Sequence, residues 1–244
     1  MDNVIVTGAS RGLGLAIAER LASDGFSVVA VARRNSEALS VAANRLAASE
    51  RGALTFCPLD LMETAAFPAF VRDLRRQFGP IYGLVNNAGL GTAGLLANMP
   101  DPEIEALIRL NTLSPILLSK YVVRGMMAQS RGRVVNMSSI MASTGFNALS
   151  VYAATKASLV GFTKSLAREV GRTGVTVNAI APGFIDTELT HGLDEASHDR
   201  IVRRSAMCRL ATPEDVAGVA ALLMGEAGRN ITGAVMTVDA GSTA

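Results

Sequence analysis

The stretch Val4-Ile5-Val6-Thr7-Gly8-Ala9-Ser10-Arg11-Gly12-Leu13-Gly14, running on into residues 15–21, decides the fold. Three apolar residues end at a glycine-rich turn and the apolar positions beyond it take helical spacing, so the segment reads as strand, turn and helix. Glycines permit positive φ and let a backbone approach a ligand closely, and the N–H groups that open a helix attract an anion such as a pyrophosphate. The glycine spacing is G-x-x-x-G-x-G rather than G-x-G-x-x-G, and no Gly-Lys-Ser/Thr follows, which disfavours a nucleoside triphosphate site. A dinucleotide along Gly8, Ser10, Arg11, Gly12, Leu13 and Gly14 is the functional expectation, and a tight connection without a ligand is the plain structural one.

Outward from this unit, strand and helix patterns alternate to the end of the chain. Strands are predicted at 26–32, 53–59, 81–85, 133–137, 175–179 and 234–238. Helices are predicted at 35–49, with Asn35 or Ser36 near the cap, and at 63–78, 151–171 and 213–224. Residues 102–128 read as two helical segments meeting near 110–114, with Asn111 at the break. No repeat, low-complexity tract or linker interrupts the order. The alternation predicts an α/β fold, a single-domain doubly wound (Rossmann) parallel sheet of seven strands with helices on both faces, spanning 1–244.

Composition agrees with that reading. The 244 residues are 49% hydrophobic and 18% charged, enough apolar material for a sheet buried on both faces. The net charge of +2 and the dispersed arginines argue against a nucleic-acid surface. The sequence contains no apolar run of about 18 residues or more and opens without a basic leader, so neither a membrane partner nor export is expected and a cytoplasmic location is. Cys57, Cys208, His191 and His198 lack metal-ligand spacing, so no metal is expected.

The strand ends carry the chemistry. The second strand closes on Arg33-Arg34 where an acid would hold the ribose hydroxyls of NAD, so with Arg11 these arginines point to a 2′-phosphate and to NADP(H), their alternative being solvated surface charge. Asp60-Leu61 follows the third strand, the acid meeting an adenine edge or capping the next helix. Asn86-Asn87-Ala88-Gly89 follows the fourth, Asn86 reading as structural and Asn87 as ligand-facing. Ser138-Ser139 ends the fifth, and Pro182-Gly183 makes a sharp turn after the sixth. Tyr152 and Lys156, four apart, share a helix face, so the ammonium is expected to lower the phenol pKa and make it a proton donor. Residues 185–209 mix charges with scattered apolar positions after a strand end and are expected to form a helical lid over a substrate.

Thr7-Gly8-x-x-x-Gly12-x-Gly14, Asn86-Asn87-Ala88-Gly89, Asn111, Ser139, Tyr152-x-x-x-Lys156 and Pro182-Gly183 together resemble the short-chain dehydrogenase/reductase family, over the whole of residues 4–241. Within it, residues 167–169, 177–187 and Ile231-Thr232-Gly233 resemble the 3-oxoacyl-[acyl-carrier-protein] reductases. The resemblance implies Tyr152 as general acid, Lys156 as its partner and a donor to the nicotinamide ribose, Ser139 as a donor to the substrate carbonyl, and Asn111 as holder of a water. It implies Ile185 and Thr187 near the nicotinamide carboxamide, and Asp60 and Leu61 near the adenine. The implied activity is NADPH-dependent reduction of the 3-oxo group of an acyl thioester in fatty acid biosynthesis. An alcohol, ketone or sugar dehydrogenase of the family is the alternative, and a non-catalytic dinucleotide-binding sensor is an alternative of another class. The implied partner is acidic acyl carrier protein, for which Arg131, Arg133 and Arg172 are the candidate docking residues at the cleft mouth. A homotetramer pairing the helices at 115–128 and 151–171 is also implied.

Overall fold

A computed structural model describes residues 1–48, 52–185 and 195–244. Seven parallel strands form one sheet: β1 (Asn3–Thr7), β2 (Ser27–Ala32), β3 (Ala53–Pro58), β4 (Ile81–Asn86), β5 (Gly132–Met137), β6 (Val175–Pro182) and β7 (Val235–Val238). Their order is β3-β2-β1-β4-β5-β6-β7. The helices of the described chain are α1 (Gly12–Ser23), α2 (Glu37–Ala47), α3 (Phe67–Phe78), α4 (Asp101–Ile108), α5 (Ser114–Ala128), α6 (Ser150–Val170), α7 (Glu195–Arg204) and α8 (Pro213–Met224). The predicted doubly wound architecture is the one observed.

Successive residues of a strand face opposite sides, and here both sides are covered. Val4, Val6, Val28 and Ala30 pack beneath α1, α2 and α8, whereas Ile5, Val29 and Val31 pack beneath α3, α5 and α6. The strands are therefore apolar on both faces, unlike the half-polar strands of an open antiparallel sheet.

Most boundaries fall within two residues of the sequence pattern, and three places depart further. The helix expected at 63–78 begins with a 3-10 turn, Thr64–Ala66, and becomes α-helical only at Phe67, where Pro68 occupies a first-turn position that needs no N–H. Strand β6 extends three residues beyond the predicted 179 and ends on Pro182, because β7 pairs alongside from Ala179 to Pro182. Between α4 and α5 the chain winds into a π-helix, Arg109–Leu113. Pro115 has no N–H to give the Asn111 carbonyl four residues back, so the regular ladder cannot close there.

A buried polar network ties sheet to helices. The Asn86 amide donates to Ser119 Oγ at 3.0 Å and to Asn136 Oδ1 at 2.8 Å, and the Asn136 amide donates to Thr163 Oγ1 at 2.9 Å. All four side chains are buried, so β4 and β5 are coupled through hydrogen bonds to α5 and α6, the structural role expected of Asn86. Replacing Asn86 with Leu strands Ser119 and Asn136 without their donor. Urea denaturation of Asn86→Leu should show a loss of about 1–3 kcal/mol; an unchanged midpoint would remove the network from the list of what holds the layers together.

Candidate functional site

Chain order reverses between β1 and β4, so the segments leaving their carboxyl ends diverge and open a crevice. The hydroxyl of Thr7 fixes its two walls. It donates to the Val85 carbonyl at 3.2 Å and accepts from the N–H groups of Asn87 at 3.0 Å and Ala88 at 3.1 Å. The Asn87 amide returns to the Thr7 carbonyl at 2.9 Å, so its nitrogen braces the glycine turn. Gly8 N–H reaches the Val31 carbonyl at 2.8 Å, and Ser36 donates to the Ser10 carbonyl, bringing the end of β2 against the same turn. Ser36 is also the cap of α2, accepting from Leu39 N–H at 3.1 Å.

The turn has the shape of an anion cradle. Gly12 has φ of +55° and would meet nothing within 4 Å if it carried a β-carbon, whereas one at Gly14 would lie 2.2 Å from the Gly8 carbonyl oxygen. Gly14 therefore lets α1 pack on the turn, and Gly12 faces open space. Arg11 precedes α1 without capping it, which leaves the opening N–H groups of a 12-residue helix for an anion. Arg11, Arg33 and Arg34 are exposed around this rim, with no ion-pair partner among the described residues. These residues fit a phosphorylated dinucleotide. Leu13 packs its side chain against the core, so only its backbone belongs to the cradle. Of the two roles open to Asp60, the structure contains a local one: Oδ1 accepts from Met62 N–H at 2.9 Å and turns the chain after β3. The Leu61 side chain is buried in the core on the α5 side.

At the next carboxyl end, β5 delivers Ser138 and Ser139. Ser138 is buried and donates to the Lys156 carbonyl at 2.9 Å, a structural bond. Ser139 accepts from Met141 N–H at 3.2 Å, and its side chain also hydrogen-bonds the Tyr152 phenol. Helix α6 brings Tyr152 and Lys156 to the same place. Lys156 Nζ donates to the Met137 carbonyl at 2.9 Å and lies 5.7 Å from the centre of the Tyr152 ring. Asn111 closes the group from the π-helix: Oδ1 accepts from Leu90 N–H at 2.8 Å, and Nδ2 donates to the Leu90 carbonyl at 2.8 Å and to Thr155 Oγ1 at 3.2 Å. A β-carbon at Gly89 would stand 3.2 Å from Asn111 Oδ1 and 3.4 Å from Lys156 Nζ, so the 88–90 backbone passes directly beside both. The Asn111 amide is thus fully engaged within the protein.

Sequence reasoning left Thr7, Ser138 and Thr155 out of the site. Each acts on backbone or on another site residue, and the only available signal was its place next to a motif residue. The arginines expected at the cleft mouth are elsewhere. Arg131 precedes β5, pairs with Asp2 and stacks 4.6 Å over the Tyr82 ring; Arg133 is 7% exposed over the same ring; Arg172 lies in the turn before β6. Residues that lead into parallel strands lie at the edge opposite those that follow them, and Ser139 follows β5. Pro182 ends β6 and Gly183 N–H reaches the Val238 carbonyl at 2.9 Å. Ile185 is buried in the core beside Ala211, with which it forms a parallel bridge. Thr187 and His191, with the rest of 186–194 of the expected lid, lie outside the described residues.

The electrostatics differ from expectation in sign. Burial raises the Tyr152 pKa above its usual 10, and hydrogen bonding to the Ser139 side chain only partly opposes that. The ammonium is spent on the Met137 carbonyl, and desolvation of the phenolate prevails. Burial also lowers Lys156 from 10.5 to about 8, which leaves it charged at neutral pH.

The sequence pattern described as short chain dehydrogenase matches residues 2–198. The chain belongs to that family. Among its relatives, 3-oxoacyl-[acyl-carrier-protein] reductase FabG of Escherichia coli (strain K12) is 38% identical over 237 residues, covering 97% of this chain and 95% of the relative. The enzyme of the same name from Pseudomonas aeruginosa is 38% identical with the same coverage. A short-chain dehydrogenase/reductase from Serratia marcescens BCRC 10948 superimposes with a TM-score of 0.92 at 32% identity, over 100% of this chain and 98% of that one. The short-chain dehydrogenase described here is thus an oxidoreductase, and a nicotinamide dinucleotide is the cofactor its family membership brings. No helix among its described residues is long and apolar enough to cross a membrane.

The lowered pKa of Lys156 can be read directly, because the chain has only three lysines, Lys120, Lys156 and Lys164. Carbon-labelled lysine NMR should find one ammonium titrating near pH 8 in the protein without cofactor. Between about 8 and 10.5 the unfolded chain then holds a proton at this lysine that the native protein lacks, so the Lys156 contribution to stability rises with pH across that window, against the falling contributions of the buried Cys57, Tyr82 and Tyr152. A Lys156 midpoint above 10 would contradict the assignment.

Proposed function

We propose that this oxidoreductase uses NADPH to reduce the 3-oxo group of an acyl thioester, of the kind carried by acyl carrier protein, with Tyr152 as proton donor. The observation that carries the reading is the convergence of Ser139, Tyr152, Lys156 and Asn111 beside the 88–90 backbone, at the carboxyl edge that also forms the cradle. The choice of thioester is supported by the 38% identity to the Escherichia coli 3-oxoacyl-[acyl-carrier-protein] reductase over nearly the full length of both chains. The choice of NADPH is supported by the exposed Arg11, Arg33 and Arg34, which have no ion-pair partner among the described residues, and by the lack of an acid at the end of β2.

The cradle at Gly12 would hold the pyrophosphate, the three arginines the 2′-phosphate, and Lys156 the nicotinamide ribose through donors beyond the one it gives Met137. When bound, the reduced nicotinamide supplies a hydride to the carbonyl carbon. As the C=O π bond breaks, negative charge gathers on oxygen, which the hydroxyls of Ser139 and Tyr152 would stabilise by hydrogen bonding. Tyr152 transfers its proton to that oxygen, giving a hydroxyl and leaving a phenolate near the Lys156 ammonium. A raised phenol pKa suits this direction, since the acid form is the one required. Asn111 and its water would return the proton from solvent.

A second reading, a reductase of free ketones within the same family, is favoured by one observation: Arg131, Arg133 and Arg172 lie at the opposite edge of the sheet from Ser139. NADPH oxidation assayed with acetoacetyl thioesters and with simple ketones separates the two. NADPH should be preferred to NADH, and Tyr152→Phe should lower turnover by roughly 100- to 10,000-fold while cofactor still binds. Near-wild-type turnover in that variant would refute the mechanism, and equal or better use of NADH would refute the cofactor.

A homotetramer accords with this family membership and with partly exposed apolar residues on the helices expected to pair. Met127 is 38% exposed near the end of α5, and Ala154 and Ala157 are exposed on α6. Light scattering at micromolar concentration should give four times the 25.4 kDa chain mass; a monomer would overturn the assembly.

A further inference from the structure

The loop joining Ser139 to Tyr152 carries an aromatic ring that the chemistry above does not use. Phe146 is 41% exposed, and its ring centre lies 5.8 Å from that of Phe184, the planes inclined at 59°. A loop tip with no other task is ordinarily polar; here it presents a large apolar face, held in place by a second ring.

Both rings stand on fixed supports. On one side of Phe146, the hydroxyls of Ser143 and Thr144 donate to the Ile140 carbonyl at 3.2 and 3.0 Å. On the other, the Ala148 carbonyl accepts from Gly94 N–H at 2.8 Å, with Ala148 in the left-handed region at φ of +63°. An alanine held there marks a loop conformation imposed by its surroundings. Phe184 follows Gly183, which packs so closely on Asp239 that a β-carbon would come within 2.7 Å of that residue's own. Ser138 N–H bonds the Ile180 carbonyl at 2.7 Å, so Phe184 leaves the sheet from the strand next to the one that delivers Ser139.

The rings thus connect the loop leading to Tyr152 with the strand beside Ser139. A carbonyl oxygen received by Ser139 and Tyr152 leaves two substituents to be housed, and the segments adjoining those two residues offer one of them an aromatic surface. We propose that Phe146 and Phe184 form a wall of the substrate site that takes an extended apolar substituent of the carbonyl compound, and so selects long or aryl-bearing substrates over small ones. The proposal rests on Ser139 and Tyr152 receiving the carbonyl. Covering the exposed ring with an alkyl chain or an arene removes apolar surface of both partners from water, and that gain is unavailable to a methyl group.

The test compares kcat/KM for NADPH oxidation with four-carbon and ten-carbon 3-oxoacyl N-acetylcysteamine thioesters, and with a methyl and a phenyl ketone. Wild type, Phe146→Ala, Phe146→Leu and Phe184→Leu are assayed, with NADPH binding by fluorescence as the folding control. The large-to-small ratio should be at least about tenfold in wild type, collapse toward unity in Phe146→Ala, and recover in part in Phe146→Leu. A wild-type ratio near unity in every accepted series, or the same ratio in Phe146→Ala, overturns the wall. Reduction of thioesters without size preference would leave the thioester reading intact and remove the wall. Size-selective reduction of ketones alone would keep the wall and remove that reading, and reduction of nothing would remove both.

Discussion

One hydroxyl sets the geometry on which the site depends. Thr7 ends the first strand, donates to the carbonyl of Val85 across the switch point, and accepts two successive N–H groups from the chain leaving β4. A crevice between diverging segments would otherwise expose backbone groups with nothing to hold them apart or together. Thr7 satisfies three of them at once, and Asn87 returns a fourth bond to the Thr7 carbonyl. The cradle at Gly12 and the 88–90 backbone beside Lys156 therefore stand at a distance fixed by hydrogen bonds within the protein, without waiting for a ligand to impose it.

The catalytic side is poised differently, through what burial does to charge. Lys156 pays for its position by losing proton affinity and keeps its ammonium by giving one hydrogen to Met137. Tyr152 is held in its neutral form by the same burial. Each group is therefore biased away from its charged state, and a ligand that brings hydroxyls to the ammonium would strengthen it. The sequence spacing of Tyr152 and Lys156 implied proximity correctly. It could not disclose that the helix turns the ammonium toward a strand carbonyl, a matter of packing between β5 and α6.

The architecture was legible because the central strands are apolar on both faces and several strand ends carry distinct signals: glycines after β1, Arg33-Arg34 after β2, Asn86-Asn87 at the end of β4 and paired serines after β5. Which asparagine was structural was also readable, and Asn86 packs as expected. Harder to read were features defined by what lies across the fold. The π-helix follows from Pro115 meeting Asn111, yet the same spacing in another context merely kinks a helix. The arginines expected at the cleft mouth lie elsewhere because a residue's charge carries no information about which edge of a parallel sheet it occupies. Asp60 offered two roles, and only the local hydrogen bond to Met62 marks the turn it makes.

The bridge between Ile185 and Ala211 closes the chain between them into a single excursion from the sheet. Both anchor residues are buried in the core that α1 and α8 share with the sheet, so the chain departs from and returns to one spot. For such a closed excursion the entropy of closure grows only with the logarithm of its length, about 0.6 kcal/mol for each doubling. The end of the excursion is nevertheless moored: Ala206 N–H reaches the Gly241 carbonyl at 3.4 Å, Met207 N–H reaches the Ala240 carbonyl at 3.1 Å, and Ser205 is buried. Changes of length ahead of α7 would therefore burden the seven-stranded frame little, whereas changes at 205–207 would loosen the chain that follows β7.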